Sequence, residues 1–63
     1  MYRIYYYCPR EAPFWQEYKE GLLFKTAPVF QDLQSAIRKC DALICQYHSA
    51  RVIDPSGRIV YSI

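Results

Sequence analysis

The sequence predicts an α+β fold: a three- or four-stranded, mostly antiparallel sheet with one main amphipathic helix packed on one face. Three observations lead there. The chain opens on a run of aromatic and β-branched residues, a stretch in its middle steps at three and four, and Asp54-Pro55-Ser56-Gly57 near its end is a hairpin turn signature. The expected order is β-β-α-β-β, with room for a short helix between the first two strands, in a single domain spanning 1–63. A chain of 63 residues buries only about 60% of the surface its unfolded form exposes. Its core is therefore small, and a partner chain is one common way to complete it.

Residues 2–8, YRIYYYC, read as the first strand. Side chains alternate across a sheet, so Tyr2, Ile4, Tyr6 and Cys8 share one face while Arg3, Tyr5 and Tyr7 share the other. Both faces are apolar. Pro9 and Pro13 end the strand. The segment 10–20 that follows carries Phe14, Trp15 and Tyr18, and it is expected as a two-turn helix starting at Pro13 and stopping at Gly21, or as a structured loop. LLFKTA, 22–27, reads as the second strand, with Leu22 and Phe24 on one face, Leu23 and Lys25 on the other, and Pro28 closing it.

From residue 28 or 30 to 48 the period becomes helical. Leu33, Ala36, Ile37, Cys40, Leu43, Ile44 and Tyr47 fall on one stripe roughly 120° wide when residues are set about 100° apart. Gln34, Arg38, Asp41, Cys45 and Gln46 lie outside it. ARVIDPSGRIVYSI, 50–63, is a hairpin: Asp54 starts a type I turn, Pro55 presets its next position, and Gly57 takes the left-handed conformation that follows. A three-residue loop with a glycine bulge pairs Ile53 with Ile59 and Arg51 with Tyr61, and sets Val52 opposite Val60.

The stretch FQDLQSAIRKC followed by ARVIDPSGRIVYSI resembles small uncharacterised bacterial or phage open reading frames that place a helix before an A-R-V-x-D-x-x-G-x-V-V-Y-like hairpin. The resemblance covers the last half of the chain and is chiefly a turn signature, and it implies no activity.

One helix covers one face of a sheet, so an apolar reverse face is left over, a set such as Tyr5, Tyr7, Lys25, Arg51 and Tyr61 or its alternate, because the register of a bulged turn leaves open which face meets the helix. Three covers suggest themselves: the 10–20 connector folding back with Phe14, Trp15 and Tyr18, a second copy of the chain, or another molecule, protein or nucleic acid. Tyrosine supplies seven of the 63 residues, and its apolar body with a polar tip suits interfaces. Eight basic residues against six acidic ones, scattered without a run, form no concentrated patch for nucleic acid. A sheet face bearing Tyr5, Tyr7, Arg51 and Tyr61 is nevertheless the kind of platform on which unpaired bases stack.

Catalytic and metal chemistry find little footing. Cys40, Cys45 and His48 have the only metal-like spacing, yet on a helix Cys40 lies about 140° round from Cys45, too far for one ion. Cys45 with His48 as base lacks an orienting group and an oxyanion donor. Glu17 and Glu20 read as a solvated face, and the two glycines leave no phosphate loop. The expectation is a non-enzymatic protein with no cofactor and no metal. Three cysteines at irregular spacing suggest free thiols, and the absence of a leader pattern or of roughly 18 consecutive apolar residues suggests a cytoplasmic protein with no membrane contact.

The function expected is therefore a small protein-binding or adaptor module, self-associating as a homodimer or binding another protein through a Tyr-rich sheet face or a strand edge. Its contact residues are expected to be Tyr5, Tyr7, Trp15, Arg51 and Tyr61. Single-stranded nucleic-acid binding on the same platform is the alternative.

Overall fold

A computed structural model describes every residue of the chain except Leu22, Phe24, Lys25, Cys45 and Gln46. It is an α+β fold with strands β1 (Arg3–Tyr7), β2 (Gln16–Glu17), β3 (Ser49–Ile53) and β4 (Ile59–Ser62), and one helix, α1 (Leu33–Leu43). The sheet runs β2-β1-β3-β4 with all neighbours antiparallel.

The two inner strands set the core. Ile4 lies opposite Val52 and Tyr6 opposite Ala50, so these four side chains share a face. Ile4, Ala50 and Val52 are sealed there against Ala36, Cys40 and Leu43 of α1. Spacings of four and three put those helix residues on one line, and Tyr2, Phe30, Leu33, Tyr47 and Tyr61 pack around the rim.

The helix begins later and ends earlier than the expected range of 28 or 30 to 48. Asp32 is in extended backbone, and its carboxylate accepts from the Gln34 and Ser35 N–H groups at 3.2 and 3.0 Å and from the Ser35 hydroxyl at 2.6 Å. That cap satisfies donors the first turn leaves open, so regular helix starts at Leu33. At the other end Leu43 is the last helical residue and Ile44 the cap. Tyr47 donates its N–H to the Leu43 carbonyl at 3.1 Å, turning the chain toward β3.

The second strand of the sheet lies inside the segment expected as a short helix or loop. After a turn closed by the Glu11 and Ala12 N–H groups on the Cys8 carbonyl, the connector runs back along β1, with Glu17 opposite Tyr5 and Gln16 opposite Tyr6. Pairing to an available edge supplies backbone partners that an isolated two-turn helix lacks. The strand expected over 22–27 turns on Leu22, Phe24 and Lys25, which lie outside the described residues. Nearby, Glu20 and Thr26 make a reciprocal bridge at 2.7 and 3.1 Å, and Phe30 makes another to Tyr2 at 2.7 and 2.9 Å.

The closing hairpin has the expected turn and a different register. Gly57 has φ +90° and donates to the Asp54 carbonyl at 2.9 Å, while Asp54 Oδ1 accepts from the Ser56 and Arg58 N–H groups and the Ser56 hydroxyl. Ile53 faces Ile59 as expected, but a bulge then inserts Val60 as an unpaired residue. Arg51 consequently faces Ser62 rather than Tyr61, and Val52 faces Tyr61 rather than Val60. The one-residue shift carries Tyr61 to the helix side, where its ring packs on the core and its hydroxyl donates to Asp41 Oδ1 at 2.6 Å.

Both capping carboxylates are held below the ordinary carboxylate value of 3.8, Asp32 chiefly by the Ser35 hydroxyl and Asp54 chiefly by the Ser56 hydroxyl. A depressed folded pKa contributes stability that is complete above the unfolded value and lost as pH falls through the folded one. The urea midpoint is therefore expected to hold steady from neutral pH down to about 5 and to drop below about 4. Asn at either position keeps one accepting oxygen without titrating, at Asp32 with loss of the Gln34 or the Ser35 bonds, so that part of the drop should be smaller in the double variant Asp32→Asn, Asp54→Asn.

Candidate functional site

The reverse face is built from the residues that alternate with the core. Pairing across the strands puts Arg3, Tyr5 and Tyr7 of β1 with Arg51 and Ile53 of β3, Glu17 of β2, and Ile59 and Ser62 of β4. Trp15, just ahead of β2, lies over this face beside Tyr7, the two rings 5.7 Å apart and tilted by 33°. The Arg51 guanidinium carbon sits 3.6 Å from the centre of the Trp15 ring. His48 meets Tyr7 edge-on at 5.9 Å. A shallow depression of about 300 Å³ opens here, lined by Tyr5, Trp15, Arg51, Ile53 and Gly57.

The two arginines of the face differ in their charge balance. Arg3 is paired with Glu17 at 2.9 Å. Arg51 has no carboxylate within ion-pair distance among the described residues, and its Nε is buried without a hydrogen-bond partner. Stacking on an indole attracts the cation by about 0.5–2 kcal/mol, yet it leaves the Nε–H unmet. A buried donor without an acceptor costs about 1–3 kcal/mol. A bound carboxylate, phosphate or carbonyl oxygen supplies what Arg51 lacks.

Four of the five residues expected at a contact surface, Tyr5, Tyr7, Trp15 and Arg51, are thus brought together on one face. Tyr61 is not among them, because the bulge at Val60 turns it to the other side. Of the connector's three aromatic residues only Trp15 covers the face. Tyr18 lies on the helix side, edge-on to Tyr6 at 6.5 Å, and Phe14 is 61% exposed.

A larger hollow of about 580 Å³, lined by Tyr6, Glu11, Phe14, Gln16, Glu17, Lys19 and Tyr47, had no distinct signal in the sequence beyond its aromatic residues. Tyr6 stacks on Tyr47 with centroids 4.1 Å apart and donates its hydroxyl to Glu11 at 3.0 Å. Burial first and the Glu11 bond second push the Tyr6 phenol up to about 12, so it stays a neutral donor at physiological pH. The acids of this hollow already have partners in the chain, Glu11 in Tyr6 and Glu17 in Arg3, although the Gln16 amide nitrogen is buried without one. Lys19, the cation of this hollow, is exposed and keeps its hydration, whereas the Arg51 Nε–H is buried, and an unmet buried donor on a cation is a stronger demand for a ligand than an unmet neutral amide. The reverse face is for that reason the better candidate.

Among the described residues no cluster of three His, Cys, Asp or Glu side chains is placed to hold a metal, and no helix is long and apolar enough to cross a membrane. The Cys40, Cys45, His48 spacing falls partly on Cys45, outside the described residues. Cys40 is buried in the core, which pushes its thiol up to about 11, whereas Cys8 is half-buried. Iodoacetamide at pH 8 is expected to modify Cys8 well before Cys40 in the native protein, with peptide mass spectrometry reading the order. Equal rates would place Cys40 outside the core.

No protein-family model matches the chain, and no curated protein or solved structure matches it.

Proposed function

We propose that the chain is a small, non-enzymatic protein-binding module that self-associates, and that the reverse face of its sheet is where a partner docks. The observation that carries this reading is the Arg51 guanidinium stacked on Trp15 between Tyr5 and Tyr7, with no acidic partner of its own among the described residues. Tryptophan, tyrosine and arginine in a half-desolvated depression are the residue types that dominate binding energy at protein interfaces. The partner supplies an acidic or carbonyl oxygen to Arg51 and an apolar side chain to the depression beside Ile53. The resemblance of the second half to small bacterial or phage reading frames adds no activity to this.

Single-stranded nucleic acid is the second reading, and the same stack favours it, since bases lie on aromatic rings and phosphates on arginine. Immobilised protein challenged with cell extract separates the two. A protein partner should stay bound at about 0.5 M salt, where surface charge is heavily screened, and should be lost from the double variant Tyr5→Ala, Arg51→Ala. Release by salt or by nuclease points to nucleic acid. Capture that is equal for wild type and double variant would remove the reverse face from the account.

A further inference from the structure

We propose that two copies of the chain join through the free edge of β4, antiparallel to each other about a two-fold axis normal to the sheet, making one continuous sheet of eight strands. This rests on the self-association in the reading above and assigns it to a surface distinct from the aromatic face.

The two outer strands are unlike. β2 is two residues long, and Glu17 on it is tied across to Arg3. β4 runs from Ile59 to Ser62, and its pairing continues to Ile63, whose N–H and C=O exchange bonds with Ala50 at 3.0 and 3.2 Å. In an antiparallel ladder the residues flanking such a doubly bonded pair turn their backbone groups the other way. The N–H and C=O of Ser62 therefore point away from β3, out of the sheet. An edge of this kind is a template for another strand unless charge, proline or a cover guards it.

Residues 59–63, IVYSI, contain no charged side chain and no proline. Ile59, Val60 and Ile63 are 51, 41 and 43% exposed, three of the seven exposed large hydrophobic side chains among the described residues. The bulge at Val60 bends the strand only at its turn end and leaves Tyr61 to Ile63 regular. A second copy is the occupant that fits. A strand with no charged side chain sets no like side-chain charges together when it meets itself, and with Ser62 on the axis its outward N–H and C=O meet the same two groups of the other copy. Tyr61 of each chain then lies beside Ile63 of the other on the helix side, an apolar contact made twice by symmetry. A two-fold axis normal to the sheet keeps both helices on one side and both Trp15–Arg51 sites on the other. The dimer is thus a two-site platform whose second site binds at high effective concentration.

Sedimentation equilibrium from micromolar to millimolar protein tests this. Wild type is expected to reach twice the 7.5 kDa of a single chain. Ser62→Pro deletes the outward N–H without touching a bond to β3, and Ile63→Lys removes the apolar contact made twice by symmetry and puts on the edge the charge that guards strand edges against pairing, so both should sediment as single chains with unchanged far-ultraviolet circular dichroism. If Ser62→Pro does not fold, exchange of the Ser62 amide in wild type serves instead: it should slow as concentration rises. A single-chain mass at every concentration, or a dimer that survives both substitutions, overturns the proposal. A dimer lost in Arg51→Ala but kept in Ile63→Lys would place self-association on the aromatic face and overturn it equally. The edge variants should still capture a partner, so failure here and failure of the reverse-face reading are told apart.

Discussion

Replacing Ile4 by alanine is expected to leave a large share of the protein unfolded at room temperature. Ile4 is 1% exposed at the centre of a core made otherwise of Ala36, Cys40, Leu43, Ala50 and Val52, three of which are alanine or cysteine and cannot expand into a void. Truncating a buried isoleucine to alanine costs about 2–5 kcal/mol. A single core in a domain of this size supplies only about 3–5 kcal/mol in all. Urea titration followed by circular dichroism should show the midpoint approaching zero denaturant, whereas Ile4→Val should cost only about 0.5–1.5 kcal/mol. A loss in Ile4→Ala no larger than that of the valine variant would mean that the helix does not seal this face.

The second large effect is on binding. Arg51→Ala or Trp15→Ala is expected to weaken capture of a protein partner about 30-fold, the fold-change equivalent to the roughly 2 kcal/mol that defines an interface hot spot. The unfolding midpoint should move little, because Arg51 makes no ion pair among the described residues and Trp15 lies outside the core. Tyr61→Phe is the matching control. It removes the hydroxyl bond to Asp41 while keeping the ring, and since Tyr61 is on the helix side it should leave capture intact. Loss of capture in Tyr61→Phe with full capture in Arg51→Ala would reverse the assignment of faces.

The apolar pattern carried much of this structure and local exceptions hid the rest. Period-two alternation in 2–8 places Ile4 opposite in sense to Tyr5 and Tyr7, and the three-and-four stepping of Ala36, Cys40 and Leu43 places the helix stripe, because in both cases burial follows directly from period. The stripe begins where the helix does, at Leu33, and Asp32 fixes that start by hydrogen bonding, whereas the other end was not legible because Ile44 and Tyr47 carry the stripe on past Leu43, the last helical residue. Tyr61 was misplaced because a bulge of one residue leaves no mark in composition and still exchanges the two faces beyond it. β2 was misread for a related reason. QE has neither strand propensity nor length, and it is a strand only because the edge of β1 is there to pair with.

The chain contains a single tryptophan, and it lies in the proposed contact surface, so one label reports on the central claim. Protein prepared with 5-fluorotryptophan gives one fluorine resonance, from Trp15 stacked on Arg51. On addition of the partner recovered by capture, that resonance should shift or broaden in proportion to complex formed, and the change should be absent in Arg51→Ala. A complex that forms stoichiometrically by mass while the Trp15 resonance keeps its position and width would show that the partner binds elsewhere.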